Sequence, residues 1–196
     1  MIHLPMNYSI CNIGESKTTK TQAAEILYKT FTGINKDAWP DMESALTEVD
    51  ECLEEPNVCI GIKIGDELIG WVGLRPMYKT TWELHPMVVK KEFWGKGYGK
   101  ILLDELERIA LNKYISGIFL GSDDETFSTS LSDKEIKTEN IFNEIVNIKN
   151  YKNHPYEFYQ KCGYTIIGVV PNANGDRKPD IFMWKDIRCD RKLGSG

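Results

Sequence analysis

The sequence predicts a mixed α/β sheet carried by one domain. Three observations lead there. Apolar residues recur at helical spacing early in the chain, as in Ala23, Ala24, Leu27 and Phe31. From residue 58 the period changes to strand-like runs. Between one such run and a later helix sit three glycines, Gly95, Gly97 and Gly99, which read as a strand–loop–helix crossover.

In chain order, Thr18 to Phe31 is the first predicted helix and Asp41 to Glu54 the second, with Asp41 as its cap and Leu46, Val49 and Leu53 inward. Pro40 holds Trp39 in extended geometry, so Ala38-Trp39-Pro40 is a loop. Val58 to Ile64 and Glu67 to Leu74 are strands joined by a Gly65-Asp66 hairpin turn. Thr81 to Val89 is a further strand. Pro86 cannot donate to a ladder, so it marks a bulge or an edge there. The helix Gly99 to Lys113 follows, with Leu102, Leu106, Ile109 and Lys113 along one stripe, and then a strand from Ile115 to Leu120. Asp133 to Asn150 is a predicted helix with Ile141, Phe142, Ile145 and Val146 inward. Pro155 to Cys162 forms a short helix closed by Gly163. Tyr164 to Val170 and Asp180 to Ile187 are the last strands.

With 196 residues the chain can bury one sizeable core. A net charge of −5 gives no sign of general nucleic-acid binding; it suits a cationic small molecule, or simply a solvated surface. The five cysteines are odd in number and lack a C-x-x-C, which predicts reduced thiols rather than a disulfide framework. Three histidines without paired spacing predict no metal. No apolar run is as long as a membrane span, and MIHLPMNYS lacks the apolar stretch of a signal peptide, so the expected location is the cytoplasm.

Glycines before a helix serve as a flexible turn or as a phosphate cradle, where backbone N–H groups and the helix N-terminus meet an anion. Two well-known cradles fail. In a P-loop register Trp94 stands at the first glycine and Ile101 follows Gly99-Lys100. In a dinucleotide register Gly95-x-Gly97 leads to Lys100.

Val88-Val89-Lys90-Lys91-Glu92-Phe93-Trp94-Gly95-Lys96-Gly97-Tyr98-Gly99, within this order of elements, resembles the GNAT superfamily of acetyl-CoA-dependent N-acetyltransferases. Their pyrophosphate loop reads [RQ]-x-x-G-x-[GA]. Gly97-Tyr98-Gly99 fits, while Trp94 stands where Arg or Gln is expected. A closer resemblance, to the aminoglycoside 6'-N-acetyltransferases, lies in Trp82-Glu83-Leu84-His85-Pro86, Gly121-Ser122-Asp123-Asp124, His154 through Tyr164, Pro171-Asn172-Ala173-Asn174-Gly175 and Lys178-Pro179-Asp180-Ile181. The superfamily resemblance covers residues 7–187, read as a single domain. Residues 1–5 and 188–196 read as ends outside it, added in cloning or disordered.

The resemblance implies a largely antiparallel sheet with a central splayed strand pair, flanked by helices. It implies that acetyl-CoA is held by Trp94, Gly95, Lys96, Gly97, Tyr98, Gly99 and Lys100, by the backbone of Met87, Val88 and Val89, and by Asn150 and Asn153. The Met87 N–H would polarise the thioester carbonyl. Tyr159 takes the general-acid position; a phenol and a thiol have ordinary pKa values of about 10 and 8.5. Glu83 and His85, two apart on a strand, share a face and would accept or orient the amine. Trp39 and Tyr78 would line the acceptor cleft. Asp123, Asp124 and Glu125 form an acidic run, and a carboxylate about 4 Å from an ammonium is worth roughly 4 kcal/mol before desolvation at intermediate dielectric.

Each of these residues also has a plainer use. Met87-Val88-Val89 fits a buried strand, Tyr159 a core aromatic, Glu83 and His85 a solvated edge pair, and Asp123-Asp124-Glu125 a solvated turn. The expected activity is acetylation of the 6'-amine of aminoglycosides, conferring antibiotic resistance, by a homodimer. A GNAT enzyme acting on a polyamine or a protein or peptide amine, and a non-catalytic acyl-CoA-binding regulator, stay open beside it.

Overall fold

The computed structural model describes residues 7–32 and 38–188. The expected ends therefore fall outside the described residues, except for Arg188. The chain divides into two compact units that meet between Ser116 and Gly117. Among the described residues there are seven strands, four in the first unit and three in the second, and the architecture is a mixed α/β fold with largely antiparallel pairing.

The first unit opens with β1 (Ser9–Asn12), which the sequence pattern does not announce; four residues with no fully buried side chain give little periodicity to read. Helix α1 (Lys17–Phe31) starts where the Ser16 hydroxyl accepts from the Thr19 N–H. Helix α2 (Met42–Cys52) starts in a capping box. The Ser44 N–H donates to the Asp41 carboxylate at 2.8 Å, and the Asp41 N–H donates to the Ser44 hydroxyl at 3.3 Å.

Strands β2 (Val58–Ile64) and β3 (Glu67–Pro76) form the expected hairpin, with Gly65 at φ 58°. β4 (Thr81–Val89) pairs with β3, and β1 pairs with β2. One face of β2–β4 buries Cys59, Leu68, Trp71 and Val88 against Ala23, Leu27, Ala45 and Val49 of the two helices. Trp71 is fully buried, and its indole N–H donates to the Ala23 carbonyl at 3.0 Å. Its burial is worth about 3 kcal/mol, and the hydrogen bond removes the penalty of an unpaired buried donor.

Pro86 stands at a bulge. Val72 pairs with Met87 and Leu74 with Leu84, so His85 and Pro86 together oppose the single residue Gly73. Helix α3 (Tyr98–Asn112) follows the glycine loop. Its buried face differs from the predicted stripe. Leu102 and Leu106 are buried as expected, but with Tyr98, Leu103 and Ala110; Ile109 is half-buried and Lys113 is an exposed cap. A long lysine at the end of a helix can follow its apolar period and still keep its ammonium in water.

In the second unit β5 (Gly117–Asp123) pairs with β7 (Asp180–Asp186), which pairs with β6 (Thr165–Val170). β5 starts two residues later than predicted, because the Ile115 N–H is still bonded to Ala110 at the helix end. It runs on to Asp123, paired with Asp180. The predicted helix from Asp133 to Asn150 is not formed as such. Only α4 (Ile141–Val146) and a turn of 3-10 helix before it are helical. Phe142 and Val146 are 76% and 81% exposed rather than inward, and Ile141 and Ile145 are only half-buried. α5 (Tyr156–Lys161) is the expected short helix, ending at Gly163 with φ 91°.

Candidate functional site

Three constellations carry the residues singled out above. The first is the loop from Lys90 to Lys100. Gly95 and Gly97 both have positive φ, 70° and 89°, and Gly97 caps α3 in the left-handed region. A side chain at either would be strained, yet open space surrounds both positions. The loop is therefore a concave stretch of bare backbone leading into a helix fifteen residues long, whose first N–H groups have no intrahelical partner. That arrangement fits a pyrophosphate.

Trp94, the departure from the family pattern, is half exposed, and its indole N–H donates to the Val89 carbonyl at 2.6 Å. It pins the loop to the end of β4. Lys96 lies 5.3 Å from the Phe93 ring, and Phe93 meets Tyr98 edge-on at 5.8 Å. The Lys100 ammonium is paired with Asp104.

The second constellation surrounds the β4 bulge. His85 and Trp39 come together, with ring centroids 6.1 Å apart. Between them stands Glu48 of α2. One carboxylate oxygen accepts from the Trp39 indole N–H at 3.3 Å; the other is 3.5 Å from His85 Nε2. Burial works against the charge of Glu48, but His85 and Trp39 outweigh it and hold the carboxyl below its usual range. Glu83 is engaged differently: its carboxylate is 2.6 Å from Arg75 Nε. Burial opposes the charge on Arg75, while Glu83 more than restores it. Tyr78 is 66% exposed in the turn between β3 and β4, with its N–H bonded to Thr81. Met87 and Val89 are half-buried and Val88 is buried, all on β4.

The third constellation lies in the second unit. Asp123, at the end of β5, is exposed and accepts from the side-chain amide of Asn174. Asp124 has no exposed surface. It accepts from the Ser128 and Thr129 N–H groups and from the Thr129 and Ser132 hydroxyls at 2.6–2.8 Å. Burial works against its charge, but these donors outweigh it and the carboxyl lies below its usual range. A carboxylate so enclosed organises its own loop and offers no face to an ammonium. Glu125 is paired with Lys178 at 3.0 Å.

Tyr159 lies on α5 against Phe158 and Tyr164, and burial pushes its phenol above the usual tyrosine range. Asn150 spends both ends of its side-chain amide on the His154 backbone, at 2.7 and 3.0 Å. Asn153 is exposed, at φ 57°. His154 is buried; its Nε2 is 3.1 Å from the Asp123 carbonyl and its Nδ1 accepts from the Tyr156 N–H at 3.3 Å. This ring ties the end of β5 to the start of the Tyr159 helix.

Sequence reasoning missed Glu48, Arg75, His154 and Asn174 as members of these constellations. Only the last two lay inside strings that carried the resemblance. Among the described residues no group of three or more His, Cys, Asp or Glu is placed to hold a metal ion, and no helix is long and apolar enough to cross a membrane.

Comparison with known proteins gives a consistent result. Residues 21–129 match the Acetyltransferase (GNAT) family. An aminoglycoside 6'-N-acetyltransferase solved with coenzyme A is 35% identical, with 91% of this chain and 97% of that chain covered and a TM-score of 0.83. The aminoglycoside 6'-N-acetyltransferase from Enterococcus faecium is 34% identical, with 93% and 97% covered and a TM-score of 0.79. The ribosomal-protein-S18-alanine N-acetyltransferase from Escherichia coli shares the fold at 11% identity, with 92% and 94% covered and a TM-score of 0.62. Among curated proteins no match was found.

Proposed function

Because the chain belongs to the GNAT family of acetyltransferases, we propose that it transfers the acetyl group of acetyl-CoA to the 6'-amine of aminoglycosides, and so confers resistance to them. The observation that carries this reading is similarity over nearly the whole chain, above 30% identity, to aminoglycoside 6'-N-acetyltransferases. The residues of the three constellations are of the kinds such a reaction needs.

Acetyl-CoA supplies an activated acyl group. The loop from Gly95 to Lys100 holds its pyrophosphate on backbone N–H groups, and the Met87–Val89 backbone holds the pantetheine arm, with the Met87 N–H on the thioester carbonyl. The acceptor must arrive as a polycation yet attack as a neutral amine. Asp123, exposed on its strand end, attracts its ammonium groups. Tyr78, largely exposed, gives an apolar face for the sugar rings, while Trp39, buried against Phe31, backs the site from the core rather than lining an open cleft. His85 takes the amine proton directly or through water. Glu83, already balanced by Arg75, sets the field beside it rather than acting as a free base.

The nitrogen–carbon bond forms and the carbon–sulfur bond breaks. The ammonium gives up two protons on the way to the amide. His85 takes one before attack and passes it to solvent. The second leaves the nitrogen as the carbon–sulfur bond breaks and replaces, through water, the proton that Tyr159 delivers to the departing thiolate. Burial keeps that phenol protonated through neutral pH, so it is always loaded as a donor.

The test is thiol release from acetyl-CoA with kanamycin, spermine and a lysine peptide compared side by side, followed by product analysis. Turnover with kanamycin and acetyl on the 6' nitrogen is expected. Turnover with spermine and none with kanamycin would overturn the proposal.

A further inference from the structure

We infer that Glu48 is a positioning residue of the acceptor site, one carboxylate fixing the indole of Trp39 and the imidazole of His85 together. The inference rests on the acetyl-transfer reading above and adds to it a residue that nothing in the sequence marks. α2 and its cap carry four other carboxylates, all exposed: Asp41, Glu43, Asp50 and Glu51. Glu48 alone among them turns inward, its side chain only 13% exposed. Placing a charge there costs stability unless it is matched by donors. The match is made by the two residues of the first unit whose expected work is on the acceptor, Trp39 at 3.3 Å and His85 at 3.5 Å. Each oxygen serves one of them.

A third tie reaches the bulge itself. Cys52, one helical turn after Glu48, places its sulfur 3.5 Å from the Glu48 carboxylate and 3.6 Å from the His85 carbonyl oxygen. Both the ring and the backbone of His85 are thus referred to the same turn of α2. The arrangement has a chemical result. With a carboxylate facing Nε2, the neutral imidazole keeps its proton on Nε2. Nδ1 is then the nitrogen with a lone pair to offer. Glu48 selects the tautomer of the ring as well as its direction.

Glu48→Ala removes both acceptors. Glu48→Gln keeps one oxygen and turns an N–H₂ toward the other donor, so it breaks one contact of two. We expect kcat/KM for kanamycin to fall about 10-fold to 100-fold in Glu48→Ala and by less in Glu48→Gln. The acetyl-CoA Kd by calorimetry should stay within about twofold of wild type, and the wild-type melting temperature should be nearly retained in Glu48→Gln.

The second readout does not depend on substrate. Long-range ¹H–¹⁵N NMR reports the tautomer of each imidazole; the His85 signals are identified by their loss in His85→Gln, and His154 serves as the internal control. Wild type should show His85 with its proton on Nε2, and Glu48→Ala should shift those signals while His154 stays unchanged. Unchanged His85 signals, or wild-type acceptor kinetics in Glu48→Ala, would overturn the inference. If wild type fails to acetylate kanamycin, the functional reading falls, and the imidazole signals alone decide whether Glu48 positions His85.

Discussion

Asp123 and Asp124 are adjacent in the chain and opposite in surroundings: the first is exposed at a strand end, bonded to Asn174, while the second is sealed among four donors of its own loop. Substitution should separate them. Asp124→Asn leaves at least one buried donor facing an N–H₂ and should lower unfolding stability by about 2–3 kcal/mol in denaturant titration. Asp123→Asn should leave stability nearly unchanged and raise the kanamycin KM about 3-fold to 10-fold, with the acetyl-CoA KM unaffected. Added salt should weaken wild type for the same acceptor more than it weakens Asp123→Asn, since exposed attraction is screened over about 8–10 Å. Equal acceptor KM in wild type and Asp123→Asn would return Asp123 to a solvated turn.

The glycine loop predicts a binding defect without unfolding. Gly97→Val puts a branched side chain at φ 89° into the open space above the first turn of α3. The acetyl-CoA Kd should rise at least about 10-fold by calorimetry, while far-ultraviolet circular dichroism stays close to wild type. An unchanged Kd would remove the cradle.

Tyr159→Phe keeps the ring among Phe158 and Tyr164 and removes only the hydroxyl. If the phenol protonates the thiolate, kcat should fall about 10-fold to 10³-fold at near-constant coenzyme affinity. Full turnover would mean that water supplies the proton.

His154 predicts a pH dependence of stability. Burial lowers its pKa below the ordinary value of about 6.5. The folded chain therefore binds this proton less readily than the unfolded one. Its contribution is fully present above about pH 6.5 and is lost as pH falls from there toward the lower folded value, with a slope approaching about 1.4 kcal/mol per pH unit. The nearby Asp123 and Asp124 act the other way and favour the protonated ring. Melting temperatures between pH 7.5 and 5.5 should fall more steeply for wild type than for His154→Gln; parallel curves would show that another group is responsible.

Much of the frame was legible because it depends on local rules. Asp41 before an apolar period is a cap whatever lies beyond it. Gly65-Asp66 between two strands is a turn, and Pro86 inside a strand must disturb the ladder. The glycine loop could be read since few residues other than glycine accept the φ of positions 95 and 97. What failed depended on partners distant in sequence. The apolar period of Ile141, Phe142, Ile145 and Val146 gives no information about whether anything covers it. The 128–133 segment that precedes it is bent by Asp124, a residue whose own pattern suggested solvent. Glu48 was invisible for the same reason: its meaning lies in Trp39, nine residues earlier, and in His85 on another element.

The bulge at His85 and Pro86 has an evolutionary consequence. Gly73 faces both residues, and a methyl group there would collide with the His85 carbonyl oxygen and press against the Cys52 sulfur. A side chain at position 73 would therefore force the bulge to move, and inheritable variation there should be poorly tolerated. Variation falls instead on sites such as Tyr78, whose side chain stands mostly in water and can change at little cost to stability. A saturation library over residues 70–90 sorted for folded protein should return glycine alone at 73 and a wide alphabet at 78.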